Sequence, residues 1–298
     1  MYVEFDGDVF AATCREGGSR GNIYREGFSL QGQQEKWLTC SQASCPCIPD
    51  MYAPKVKRLE QVPADFSKFR ELKWSPSISN IDTVFSHHAI DSKVLIWELG
   101  RRCNYACTYC YPNSRSSTES HKNIETLFQA ADRLQDQWLI EEAGHILLLG
   151  GEPTVHPKFL ELVRYIQSKN ASHEIVTVTN GSRSPQYYSE LFSLSSLAFS
   201  AHLEYLATPS VYEKFVENIS ACLKLKRRQP VLSERDLQVR IMLKPGSLDL
   251  AIQLQNEIEN LPGAQDGVRV MIDYLHHTDA RVMLSTYSQK ELDFGNYI

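Results

Sequence analysis

Cys103, Cys107 and Cys110 fall within eight residues at C-x3-C-x2-C spacing, and thiols so arranged bind metal. A loop of this length wraps three corners of a cubane iron–sulfur cluster and leaves one iron to an outside ligand, whereas a cluster with four cysteines is already full. The competing readings are a zinc site, which normally takes four ligands, and three unrelated thiols. Cys14, Cys40, Cys45 and Cys47 form a second set at C-x25-C-x4-C-x-C spacing, numerically sufficient for zinc or for a fully ligated second cluster. Disulfides explain such cysteine usage poorly in a reducing compartment, so metal or catalytic use is expected. The eighth cysteine, Cys222, continues an apolar helical stripe and is expected in the core.

A second marker is Gly150-Gly151-Glu152-Pro153. Two glycines let the backbone come close to a ligand, and a carbonyl beside a carboxylate accepts hydrogen bonds from an ammonium group. Taken alone the tetrapeptide is a common turn. Its meaning depends on the elements that place it beside the cysteines.

Those elements are legible from Val94 onward, where short apolar runs alternate with longer segments of helical periodicity, the pattern of repeated βα units. Six strands are predicted: Val94 to Glu98, Ile146 to Leu149, Ile175 to Val178, Leu197 to Ser200, Leu237 to Leu243 and Val268 to Tyr274. Helical stripes lie between them, such as Ile124, Leu127, Phe128, Ala131 and Leu134, then Phe159, Leu162, Val163 and Ile166. Six units are too few for a closed eight-stranded barrel. The expected fold is therefore α/β, a partial (β/α)6 TIM-like barrel, preceded by a small cysteine-rich β module rich in glycine. Residues 1–60 are expected to form that metal-binding module, 61–93 a connector, and 94–298 the barrel. Chemistry belongs at the C-terminal ends of barrel strands, and both markers follow predicted strands.

The run Cys103-Asn104-Tyr105-Ala106-Cys107-Thr108-Tyr109-Cys110 resembles the signature of the radical S-adenosylmethionine (SAM) superfamily, and Gly150 to Pro153 resembles its GGEP motif. The resemblance covers Val94 to Tyr274. It implies a 4Fe-4S cluster on Cys103, Cys107 and Cys110, with SAM chelating the open iron, Tyr109 against the adenine, and Gly150, Gly151, Glu152 and Pro153 at the methionine amino group. It also implies ribose contacts from Asn180 and Ser200. His202 and Glu204, read at alternate positions on the fourth predicted strand, are candidates for SAM or substrate, and Arg240 and Lys244 for the SAM carboxylate. The N-terminal cysteines are loosely similar to SPASM or twitch auxiliary-cluster extensions, although those normally follow the barrel, so an auxiliary 4Fe-4S cluster and structural zinc both stay open.

A reduced cluster that cleaves SAM to a 5'-deoxyadenosyl radical, which abstracts hydrogen from a peptide or protein side chain, is the activity this implies. The alternatives are the same chemistry on a small molecule or nucleoside and, from another class, a zinc or thiol regulatory binding protein without turnover. An external flavodoxin- or ferredoxin-like electron donor is the expected partner. A net charge of -5 gives no basic field of the kind nucleic-acid binding uses, so no such partner is indicated. No apolar run is long enough to span a bilayer, and the start lacks the basic and apolar regions of a signal peptide, so a cytoplasmic location is expected.

Overall fold

A computed structural model of the chain describes residues 1–10, 15, 18–30, 93–110, 115–137, 144–275 and 286–295. Its strands are β1 (Tyr2–Val3), β2 (Val9–Phe10), β3 (Lys93–Glu98), β4 (Gly144–Leu149), β5 (Glu174–Thr179), β6 (Ser196–His202), β7 (Leu237–Leu243) and β8 (Arg269–Tyr274). They form one eight-stranded sheet in the order β2-β1-β3-β4-β5-β6-β7-β8, parallel throughout except for the antiparallel β1–β2 pair. All six predicted barrel strands are present. The helices are α1 (Ile124–Gln137), α2 (Phe159–Lys169), α3 (Pro185–Leu194), α4 (Leu203–Leu206), α5 (Pro209–Arg228), α6 (Leu248–Glu259) and α7 (Gln289–Gly295).

Strand alternation divides the sheet into two faces. On β7, Leu237, Val239, Ile241 and Leu243 are buried while Gln238, Arg240 and Met242 are only partly so. The buried set joins the core with the apolar stripes of the helices, among them Leu127 and Leu134 of α1 and Leu162 and Val163 of α2. Cys222 of α5 is fully buried there, as expected. Helix α3 was not foreseen, although Ser184 caps it, accepting from Tyr187 N, and Pro185 opens its first turn.

The first ten residues add two short strands to the barrel sheet. β1 lies parallel to β3, with Tyr2 opposite Ile96, and so continues the barrel sheet. Val3, Val9 and Ile23 are fully buried in the same core as the barrel strands. A two-residue strand carries no periodicity, and the β3 partner of β1 lies about ninety residues away in sequence, so this pairing is not legible in the sequence. Cys14, Cys40, Cys45, Cys47 and all but the last residue of the 61–93 connector lie outside the described residues. Among the described residues no helix is long and apolar enough to cross a membrane.

Candidate active site

The loops that leave β3, β4 and β5 meet at one end of the sheet. The turn after β4 packs directly on the segment after β3: Gly151 N donates to Gly100 O at 2.8 Å and Glu152 N to Arg102 O at 2.8 Å. A Cβ on Gly151 would lie 2.3 Å from Arg101 O, and one on Gly150 2.4 Å from Gly100 O, so both positions require glycine. This contact fixes the GGEP turn beside the start of the cysteine loop.

Glu152 is buried, and its carboxylate accepts from Thr154 N, Thr154 Oγ1 at 2.6 Å, Thr179 Oγ1 at 2.8 Å and Asn180 N. Its side chain therefore ties the end of β4 to the end of β5. Pro153 is buried at the start of the short 3-10 turn that Glu152 caps. Asn180 reaches the cysteine loop, its Nδ2 donating to Asn104 Oδ1 at 3.0 Å.

Cys103, Cys107 and Cys110 all line one cavity of about 350 Å³. Gly150, Gly151, Glu152, Asn180, Tyr109, Ser200 and His202 line it too, so the structure brings most of the expected site residues together. Met242 of β7, Arg115, Tyr105, Tyr274 and Leu275 also line the wall without having been singled out in the sequence. No fourth thiol among the described residues joins the three, since Cys222 is sealed in the core. Nor do three or more His, Cys, Asp or Glu side chains among the described residues group as ligands of a single metal ion. Three thiols around the wall of one cavity fit a cluster with one open iron better than they fit tetrahedral zinc.

Burial pushes the Cys103 thiol up and the Cys107 thiol up to about 12. A reactive sensor cysteine needs the opposite shift. Thiols raised in this way bind a metal only as it displaces their protons.

Four expected residues, Pro153, Glu204, Arg240 and Lys244, do not line the cavity. β6 ends at His202, and Leu203 and Leu206 are buried one helical turn apart in α4, so Glu204 stands on a helix and shares no strand face with His202. Glu204 accepts from Thr108 N at 2.9 Å, from the Thr108 hydroxyl and from Lys244 Nζ at 2.8 Å. Burial opposes ionisation of Glu204, but the bonds from Lys244 and Thr108 outweigh it and hold the carboxyl below its usual range. Arg240 faces Asp273 of β8, with N and O 3.7 Å apart. Glu204, Lys244 and Arg240 do not line the cavity. His202 does, and desolvation lowers it to about 4, leaving a neutral imidazole. Its Nδ1 lies 2.7 Å from the Tyr109 hydroxyl, and the two rings stack with centroids 5.9 Å apart.

Residues 97–206 match the family model described as "Radical SAM superfamily". A GTP 3',8-cyclase of Rhizobium etli is 29% identical over 133 residues, 41% of this chain and 38% of that protein. Mycofactocin maturase MftC of Mycobacterium ulcerans is 31% identical over 97 residues, 32% of this chain and 25% of that protein. A solved structure of BtrN in complex with AdoMet and 2-DOIA aligns with TM-score 0.33 and 19% identity over 41% of this chain and 55% of that one. The chain thus spans less than half the length of these curated relatives.

Proposed function

We propose, from the premise that this chain is a radical SAM superfamily enzyme with its family domain at residues 97–206, that it modifies a peptide or protein side chain. In this reading Cys103, Cys107 and Cys110 hold the 4Fe-4S cluster, and the cavity they share with Gly150, Gly151, Asn180, Ser200 and His202 receives SAM. The observation that carries it is the meeting of three thiols and the double-glycine turn in one cavity. When bound, the reduced cluster supplies the electron that splits SAM into methionine and a 5'-deoxyadenosyl radical able to abstract hydrogen.

The chain's own residues bind, orient and exclude water. The turn at Gly150 and Gly151 presents backbone carbonyls at the methionine end of SAM, while Tyr109, stacked on His202, offers an aromatic face for the adenine. Ser200 and Asn180 offer hydrogen-bonding groups for the ribose. The Glu152 carboxylate, engaged by four donors, acts by fixing the turn. Met242, Leu149 and Val178 line the same cavity with apolar surface and would exclude water from a ligand bound there.

The peptide substrate is supported by the N-terminal cysteines, whose type and number suit an auxiliary cluster, and by likeness to a mycofactocin maturase. Likeness to GTP 3',8-cyclases favours the second reading, a nucleotide substrate. An external electron donor and a cytoplasmic location belong to either.

Anaerobically reconstituted protein with a strong reductant is expected to convert SAM to 5'-deoxyadenosine and methionine. Cys107→Ala removes one ligand of three and should abolish that conversion; wild-type turnover in the variant overturns the assignment. Mass spectrometry of incubations with candidate peptides and with nucleoside triphosphates decides between the substrates.

A further inference from the structure

The cysteine loop carries exposed residues, Asn104, Ala106 and Thr108, between its metal-binding ones, and a segment this short has no ladder to hold its backbone. Cys103 N donates to Ser116 O and Cys110 N to Cys107 O, but the amides of Ala106 and Thr108 are held by side chains of the one-turn helix α4. Ala106 N donates to the Tyr205 hydroxyl, and the Tyr105 ring lies flat on the Tyr205 ring at 3.8 Å with 2° between the planes. Thr108, between Cys107 and Cys110, gives both its N–H and its hydroxyl to Glu204, and Lys244 at the end of β7 braces the same carboxylate. The Glu204 side chain is 12% exposed while Thr108 is exposed, so these are charge-assisted bonds made at the edge of the protein surface by a carboxylate that is itself mostly covered.

We infer that Glu204, braced by Lys244, is a positioning residue that holds the cysteine loop in the shape that accepts the cluster, and that it touches neither cluster nor SAM. The inference rests on the reading of Cys103, Cys107 and Cys110 as cluster ligands. Both Glu204 oxygens already serve the loop and Lys244, and the side chain does not line the cavity where SAM is placed. The clamp has a second effect. Hydrogen bonds to the sulfurs of a cluster help set its potential, and Thr108 N, held by Glu204, is kept from making one.

The test has two independent readouts. In metal-free protein, Glu204→Ala is expected to speed hydrogen exchange of the amides of Ala106 and Thr108 about tenfold, with exchange in β3 to β8 unchanged. In reconstituted protein, Glu204→Ala should lose its cluster to a chelator about tenfold faster and show a shifted potential. Lys244→Met keeps the Thr108 bonds and should show a smaller change in the same direction, which serves if Glu204→Ala does not fold. The double variant should behave like Glu204→Ala alone, since both act through one carboxylate. Unchanged loop exchange and unchanged cluster retention in both single variants overturn the inference. So does a Glu204→Ala protein that keeps its cluster at the wild-type rate but binds SAM more weakly, because Glu204 would then be a SAM contact. A wild-type protein that takes up no cluster overturns the reading of the cysteines, while the exchange measurement on metal-free protein still decides the clamp.

Discussion

Four donors converge on the carboxylate of Glu152, from Thr154, Thr179 and Asn180, and removing the side chain takes that acceptor from all of them, leaving Thr179 Oγ1 with the Tyr188 hydroxyl at 2.8 Å. A buried group stripped of its partner bears its full desolvation cost, so Glu152→Ala is expected to destabilise the protein by about 3 kcal/mol in urea denaturation. Glu152→Gln keeps the shape but turns one acceptor into a donor that faces donors, and should fall between. The importance of Glu152 was visible in the sequence because two glycines precede it. Its work was not, since its partners Thr179 and Asn180 stand 27 and 28 residues away and leave no local pattern. Arg240 and Lys244 show the same limit: a cation on a strand looks alike in sequence whether it meets a ligand or, as here, Asp273 and Glu204.

At the scale of elements, neighbouring strands are joined by side chains as well as by their ladders. His145 of β4 sits in register with Glu174 of β5, and their side chains form an ion pair at 2.8 Å. The hydrogen bond that His145 Nδ1 donates to Glu174 raises His145 above its ordinary 6.5, and the same bond holds Glu174 below its ordinary 4.5. A raised histidine contributes stability that is complete below 6.5 and lost as pH rises through its folded value. A depressed carboxyl contributes stability present above 4.5 and lost as pH falls through its folded value. Glu174→Gln should therefore cost more stability at pH 5.5 than at pH 9, by about 0.5 kcal/mol for a partly solvated pair, as read from urea titrations at the two pH values. Strands and long helices were readable because apolar spacing repeats within each of them. Helix α4 was read as more strand because Ser200, His202 and Glu204 alternate as a strand would; only the burial of Leu203 and Leu206 against the rest of the protein makes it a helical turn.

The whole molecule is bound together across long distances in sequence. The described residues among the first thirty rest on the barrel through fully buried Val3, Val9 and Ile23, through Trp97 Nε1 donating to the Tyr24 hydroxyl at 3.2 Å, and through Gln137 Nε2 donating to Phe28 O at 3.1 Å. Deleting residues 1–30 uncovers the edge of β3 and the apolar surface beneath, and burial of three such side chains is worth about 5 kcal/mol. The shortened protein is expected to melt at clearly lower temperature in circular dichroism and to bind a hydrophobic dye; an unchanged melt would show that the N-terminal segment is independent of the barrel. The clamp on the cysteine loop spans comparable distances, for Ala106 and Thr108 are bonded to Tyr205 and Glu204, 99 and 96 residues further along. A ribosome makes the cysteines first, and at roughly 5–20 residues per second the groups that shape their loop emerge about 5 to 20 s later. Throughout that interval the three thiols belong to a nascent chain whose loop lacks these braces, so the loop takes the shape described here only once synthesis has passed α4.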